Sequence, residues 1–118
     1  MKMTKRAIII AVLLIAACKQ PEKLNSGDPD RGKELIEHYG CQSCHIVPGV
    51  KGPKGVVGPS LDKIALRPFI GGKVQNTPQN MTQWLQNPQT FDPGNSMPNL
   101  GVTPEDARDL TAFLFTLK

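Results

Sequence analysis

The sequence predicts an all-α domain in which three main helices are separated by long irregular loops. Three segments open with a helix-capping residue followed directly by proline, an arrangement typical of helix starts. The stretches between these segments contain more glycine and proline than a regular element tolerates. No stretch shows the alternation of apolar and polar residues that is typical of a half-buried strand.

Composition allows one small domain with a limited core of its own. The chain has 118 residues and a formal net charge of +4, a size that excludes several catalytic domains and a polytopic membrane protein. Three of its 14 basic residues and none of its acidic ones fall in residues 1–17, so 11 basic residues face 10 acidic ones from Cys18 onward. This balance gives no support to nucleic-acid binding. Only 33 of the 101 residues from Cys18 onward are hydrophobic, so the core is expected to contain something besides side chains.

Residues 1–17 are typical of a secretory signal peptide. Basic residues precede an unbroken apolar run of 11 residues, Ala7–Ala17, which is too short to span a bilayer. The run ends in Leu-Ile-Ala-Ala-Cys, which resembles the bacterial lipobox and predicts acylation of Cys18; ordinary cleavage that leaves a free thiol is the alternative. Residues 18–27 would form a polar tether. We therefore expect an exported, periplasmic or otherwise extracytoplasmic lipoprotein, and Lys19 favours the outer membrane in a cell that has one.

The domain itself, residues 28–118, is expected to open with a helix from Pro29 to about Tyr39. Asp28 is a suitable N-cap, and Gly40 is a suitable residue for the C-terminal stop. Gly32 falls on the apolar face of this helix, where the missing side chain would let another helix approach closely. The other residues of that face follow helical spacing: Leu35, Ile36 and Tyr39.

A loop rich in glycine and proline follows over residues 48–59. A loop of that length with no regular structure needs something to organise it. After it, a short helix is expected over Asp62–Phe69, before a turn at Gly71-Gly72.

Two further helices are expected in the second half of the chain. The first begins at Pro78 with Thr77 as N-cap and stops before Pro88. An irregular segment, residues 91–101, leads to the last helix, which opens at Thr103 with acidic residues in its first turn and runs to the C-terminus. The apolar face of the last helix consists of Ala107, Leu110, Phe113, Leu114 and Leu117.

The segment Cys41-Gln-Ser-Cys-His45 carries the main chemical signal. Cys-x-x-Cys-His is typical of covalent heme c attachment, in which both thiols form thioethers and the adjacent histidine ligates iron. A redox disulfide or half of a zinc site is the alternative. Zinc would need two more ligands, and only His38 and Cys18 remain as histidine and cysteine. A thioredoxin-like site would need a βαβ pattern, which the sequence lacks.

The iron would need a sixth ligand or an open position, and three residues are candidates. Met81 has the spacing of a core residue on a helix, and His38 lies on the helix that leads into the attachment motif. Met97 lies in an irregular loop, 52 residues after His45, and such a loop is able to cover the open face of a heme.

The motifs resemble those of the monoheme class I cytochromes c, over about residues 28–118. Arg67 and the segment Asn76-Thr-Pro78 further resemble the cytochrome c domains associated with subunit II of bacterial heme–copper oxidases. The motifs that carry the family resemblance stand in this order: Gly32–Tyr39, Cys41–His45, Gly58–Leu61, Trp84–Pro88, Pro93–Pro98 and a terminal helix with Leu110, Phe113 and Leu114.

The resemblance implies a class I cytochrome c fold around one heme and a role for each site residue. Met97 is the implied distal ligand, and the Pro59 carbonyl is implied to accept a hydrogen bond from Nδ1 of His45. The implied heme walls are Leu61 and Trp84, and the indole N–H of Trp84 would lie near a propionate or near Met97. Arg67 and, more weakly, Asn76 are implied propionate partners.

The implied function is one-electron transfer in a bacterial respiratory chain. Ligation by His45 and Met97 leaves no open iron position for a small-molecule substrate. It also raises the reduction potential of the heme above that of a heme with two histidine ligands. Partners would be redox proteins such as a terminal oxidase or a quinol-oxidising complex, and the lipid would hold the chain on a membrane. Residues 51–73 carry a net charge of +4 and residues 74–117 a net charge of −3, which suggests a basic docking face. The alternatives are a cytochrome c subunit of a larger oxidase or dehydrogenase, a heme peroxidase, or a gas sensor.

Overall fold

The computed structural model describes residues 27–118, so the predicted signal peptide, Cys18 and all but the last residue of the tether lie outside the described residues. Within residues 27–118 no helix has both the length and the apolar character needed to cross a bilayer. The described elements are helix α1 (Pro29–His38), a 3-10 turn (Cys41–Ser43), a second 3-10 turn (Ile64–Leu66), strands β1 (Phe69–Ile70) and β2 (Val74–Gln75), and helices α2 (Pro78–Gln86), α3 (Pro88–Phe91) and α4 (Pro104–Leu114).

Helix α1 begins and ends where its caps predict. The Asp28 side chain accepts hydrogen bonds from the backbone N–H groups of Asp30 and Arg31. After the helix, Gly40 adopts a left-handed conformation with φ of 69°, which turns the chain into the Cys41–Ser43 segment.

Helices α1 and α4 pack against each other, and Gly32 lies at their contact. A Cβ atom added at Gly32 would lie 2.6 Å from the carbonyl carbon of Asp109 and closer still to the carbonyl oxygen. The prediction that a glycine on the buried face permits close helix approach is therefore confirmed. The buried apolar core extends from this contact and includes Leu35, Ile36, Ala107, Leu110, Phe113 and Leu114.

Helix α4 is shorter than predicted: it ends at Leu114, four residues before the C-terminus. The backbone N–H of Leu117 bonds to the carbonyl of Leu114, three residues earlier, so the chain tightens into a turn. The carbonyl of Leu117 accepts a hydrogen bond of 3.1 Å from the N–H of Ala65. This bond ties the C-terminal segment to the second 3-10 turn.

The predicted helix over Asp62–Phe69 is wrong, because only one 3-10 turn, Ile64–Leu66, forms there. Lys63 before it has a left-handed φ of 53°, and Pro68 follows it, so the helix can extend in neither direction.

The expectation of no strands is also wrong, since β1 and β2 form a two-residue antiparallel hairpin across the predicted Gly71-Gly72 turn. A run of two residues is too short to produce an alternation in the sequence. A one-turn helix, α3, also forms where none was predicted. Pro88 lies at its first position, just after the end of α2.

A cluster of polar side chains that was not predicted from the sequence joins α1 to α4. Arg31 donates to both carboxylates of α4, at 2.5 Å from Nη2 to Oδ1 of Asp106 and from Nη1 to Oδ2 of Asp109. The Tyr39 hydroxyl donates to Oδ2 of Asp106 at 2.6 Å, and the backbone N–H of Asp28 donates to Oδ1 of Asp109 at 2.7 Å. Asp106 and Asp109 are therefore internal partners of α1 and not free surface charges.

The cluster makes the stability of the fold sensitive to acid. The hydrogen bond from Tyr39, followed by that from Arg31, lowers the pKa of Asp106 below its ordinary value of 3.8. The unfolded chain therefore takes up a proton before the folded chain does, and stability falls as the pH drops below about 3.8. In Tyr39→Phe we expect a loss of roughly 1 kcal/mol at pH 7 that shrinks in acid, measured by urea unfolding from pH 7 to pH 3. A difference that stays constant over this range would contradict the assignment.

Candidate functional site

A cavity of about 360 Å³ lies among the helices and gathers the chemical groups that the sequence analysis singled out. Cys41, Cys44, His45 and Met97 all line it. The remaining walls are mostly apolar and come from every long helix; they include Ile36, Leu61, Ile64, Ile70, Met81, Trp84, Leu85 and Leu114. An apolar cavity with a few polar groups is the usual form of a cofactor site.

The two cysteines are held by a tight turn. The N–H groups of Cys44 and His45 both bond to the carbonyl of Cys41, at 3.2 and 2.9 Å, so both thiols and the imidazole line one cavity. Cys41 and Cys44 do not form a disulfide with each other, and burial raises the pKa of the Cys41 thiol to about 11. Among residues 27–118 the two strands form an antiparallel hairpin and not the βαβ unit that a thioredoxin-like site would need, which disfavours the redox-disulfide alternative.

His45 is oriented by the loop that the sequence marked as irregular. Its Nδ1 lies 2.6 Å from the carbonyl oxygen of Pro59. A carbonyl oxygen accepts only, so Nδ1 carries the proton and Nε2 keeps the lone pair that a metal would use. The loop is fastened to the attachment motif by the hydrogen bond from Gly58 N–H to the Cys44 carbonyl, 2.8 Å long. A Cβ on Gly58 would come within 2.6 Å of Nδ1 of His45, so only glycine leaves room for the ring.

Met97 is held from three directions. The indole N–H of Trp84 points to Sδ of Met97, at an Nε1–Sδ distance of 3.3 Å, and the Trp84 ring stacks on Phe91. The backbone of Met97 bonds to the side-chain amides of Asn95 and Gln89. Of the two positions considered for the indole N–H, the one beside Met97 is the one present. The roles of Gln89, on α3, and Asn95, in the loop, were missed, because single amide residues give no pattern to detect.

Arg67 and Asn76 contact backbone carbonyls. The Arg67 guanidinium lines the cavity and donates to the carbonyls of Ser60 and Asp62, the latter at 3.0 Å. Asn76 Nδ2 donates to the carbonyls of Ile64 and Arg67, while its Oδ1 is buried without a partner among the described residues. Both side chains thus organise the turn beside the cavity, and a propionate contact for either one stays a prediction.

The other two ligand candidates have different surroundings. Met81 is buried and lines the cavity with the core residues. His38 is exposed, packs edge-on against Tyr39 and does not line the cavity.

The residues of the cavity fit a covalently held heme. They supply two thiols for thioethers, an imidazole with its Nε2 free, a thioether sulfur and apolar walls. Gly58 has no side chain to displace the His45 ring, which is consistent with a heme held by this imidazole. An all-α fold with such a site defines a heme c protein of the electron-transfer class.

Residues 29–118 match the family model for cytochrome c, and the chain belongs to that family. Its members bind heme c covalently through Cys-x-x-Cys-His, which this chain carries at Cys41, Cys44 and His45, so heme c is the cofactor.

The chain is similar to cytochrome c oxidase subunit 2 from three bacteria. The protein of Alkalihalophilus pseudofirmus is 31% identical over 90 residues, which cover 75% of this chain and 25% of the relative. That of Bacillus sp. strain PS3 is 33% identical over 89 residues, covering 72% of this chain and 25% of the relative. The Bacillus subtilis protein is 32% identical over 69 residues, which cover 57% of this chain and 19% of the relative. The chain thus spans about a quarter of the length of the first two relatives.

Proposed function

We propose that this protein is a membrane-tethered one-electron carrier of a bacterial respiratory chain, with a single heme c ligated by His45 and Met97. The observation that carries the proposal is that the two thiols, the imidazole and the Met97 thioether line one apolar cavity. Heme c supplies a centre that takes up and releases one electron.

The residues of the chain would keep that centre closed to other chemistry. Pro59 fixes the protonated Nδ1 of His45, which orients the ring and strengthens its ligating nitrogen. Trp84 donates to the Met97 sulfur, which holds the thioether in one place. His45 and Met97 would both ligate the iron, so neither peroxide nor a gas would have an open site. This arrangement favours a carrier over the peroxidase and sensor alternatives.

Electrons would pass at the exposed rim of the cavity. Val57, Phe69 and Leu100 all line the cavity, and they are 71%, 54% and 38% exposed. Apolar side chains left in solvent at the edge of a redox site are suited to a brief contact with another protein.

Ion pairs reduce the free charge of both segments, the acidic one over residues 74–117 and the basic one over residues 51–73. The acidic total of residues 74–117 includes Asp106 and Asp109, which are buried against Arg31. Lys73 is 3.5 Å from Asp92, so part of the basic charge of residues 51–73 is also paired.

We expect electron transfer to an acidic partner to slow as the salt concentration rises, because the remaining lysines would steer the encounter. Stopped-flow rates between about 10 and 300 mM salt check this, at ionic strengths where screening changes most. A rate independent of salt would contradict steering.

The partner that the similarity favours is a heme–copper oxidase. Three relatives are oxidase subunits, and this chain resembles about a quarter of the first two. A cytochrome c subunit held permanently in an oxidase or dehydrogenase is the second candidate, favoured by the same similarity.

Purification of the protein from native membranes, followed by spectroscopy, tests the carrier function and distinguishes a mobile carrier from an oxidase subunit. The ferric protein should show the far-red charge-transfer band of methionine-ligated heme, exchange electrons with membrane oxidase and turn over peroxide slowly. Absence of the band, or rapid peroxide turnover, would contradict a carrier. Co-purification of the chain with a stoichiometric oxidase would favour the subunit.

The membrane anchor would be the acylated Cys18, which precedes the described residues. Cys18→Ser should remove acylation completely, since the thiol is the acceptor, and should release the protein from the membrane fraction. Fatty-acid labelling followed by fractionation measures both effects. A labelled Cys18→Ser protein would contradict the lipobox assignment, and Ser26→Cys serves as a control that leaves Cys18 in place.

A further inference from the structure

The backbone of Met97 is held at both ends by side-chain amides. Oδ1 of Asn95 accepts the Met97 N–H at 2.7 Å. Nε2 of Gln89 donates to the Met97 carbonyl at 2.9 Å. A methionine in an irregular loop thus has its peptide groups satisfied by neighbouring side chains, where a helix or sheet would otherwise do so.

Gln89 does more than bond to Met97. Its Nε2 also donates to the Asn95 carbonyl at 2.9 Å, and its Oε1 accepts the Gly94 N–H at 2.8 Å. One half-buried amide therefore contacts the loop at Gly94, Asn95 and Met97. Both of its Nε2 protons are in use, so neither is free to bond to another group.

The Gln89 side chain extends from α3, next to a buried residue of the core. Gln89 is the second residue of α3, directly after Pro88, which is fully buried. From the other side, Asn95 Nδ2 donates to the carbonyl of Asp92 at 2.8 Å, which closes the loop on itself. The segment from Pro93 to Pro98 has no regular structure, so its shape depends on these side-chain bonds.

We infer that Gln89 is a positioning residue for Met97. It acts on the backbone and so sets where the thioether sits, while Trp84 acts on the sulfur. The inference rests on the proposed ligation by Met97. Loss of the Gln89 amide would let the loop move, and an added ligand would then compete more successfully for the position that Met97 fills.

The test is imidazole titration of the ferric holoprotein, read together with the far-red band. Gln89→Ala should bind imidazole about tenfold more tightly than the native protein, since the two bonds to the loop carbonyls are lost. Its far-red band should weaken. Gln86→Ala is the matched control, because Gln86 Nε2 donates to the Thr82 carbonyl within α2 and has no bond to the loop.

A second variant keeps the test valid if Gln89→Ala folds poorly. Gln89→Glu preserves the side-chain length and the acceptor for the Gly94 N–H; it replaces the donor to the two carbonyls by a carboxylate oxygen, which cannot donate and would repel them. It should also bind imidazole more tightly. Native affinity and a native band in both folded variants would overturn the positioning role alone. A native protein without the far-red band would overturn ligation by Met97, and the positioning role with it.

Discussion

The Gly32→Val protein is expected to lose roughly 3 kcal/mol of stability, or to fail to fold. A Cβ at Gly32 would overlap the carbonyl of Asp109 and lie 2.9 Å from Cβ of Phe113, so α1 and α4 would have to separate. Added carbon atoms in a packed contact typically cost about 1–3 kcal/mol. Two branches against a backbone group place this site at the upper end of that range. Separation would also lengthen the bonds from Arg31 to the carboxylates of α4, and it would widen the cavity wall that Ile36 and Leu114 share.

Lys33→Val is the control for this prediction. It introduces the same branched side chain in the same helix, at an exposed position, and it should cost well under 1 kcal/mol. Urea unfolding of the holoprotein measures both variants. Equal free energies of unfolding for the two variants would contradict the prediction, because they would show that α1 and α4 can accommodate the added side chain without destabilising the fold.

The sequence allowed the helices to be placed because their starts have local causes. Thr77 and Thr103 accept hydrogen bonds from the N–H groups of Asn80 and Asp106, so each cap acts within three residues. The cluster of Arg31 with Asp106 and Asp109 joins residues more than 70 positions apart, and no local pattern encodes it. The residues after α4 also make a distant contact, the bond from the Ala65 N–H to the Leu117 carbonyl, which no local pattern encodes.

For the candidate site too, contiguous features could be predicted from the sequence, and features that depend on distant contacts could not. The attachment motif is contiguous, so its chemistry is visible directly in the sequence. The role of Pro59, and the choice of Met97 among three candidate ligands, came from resemblance, because a carbonyl and a thioether carry little signal of their own. Gln89 was invisible, since its role depends on the turn between α2 and α3 that brings it under the loop.

Met97→Ala is expected to abolish the far-red band completely and to lower the midpoint potential by on the order of 0.1 V, a fraction of the range that axial ligands span. Alanine cannot ligate, so the iron would lose the ligand that Met97 supplies. The ferric variant should therefore bind imidazole or cyanide readily and turn over peroxide faster than the native protein. Removal of the sulfur also leaves the Trp84 indole N–H without its 3.3 Å partner, and this adds a smaller loss of stability.

Met81→Ala separates loss of ligation from loss of packing in this experiment. Met81 lines the same cavity and is 3% exposed, so its truncation costs about 2–5 kcal/mol of core packing. We expect that variant to keep the band and the native resistance to added ligands, because Met97 and its bonds to Trp84, Asn95 and Gln89 are unchanged. If Met81→Ala lost the band and Met97→Ala kept it, the two methionines would exchange roles. The loop after α3 would then serve to close the cavity and would not supply a ligand.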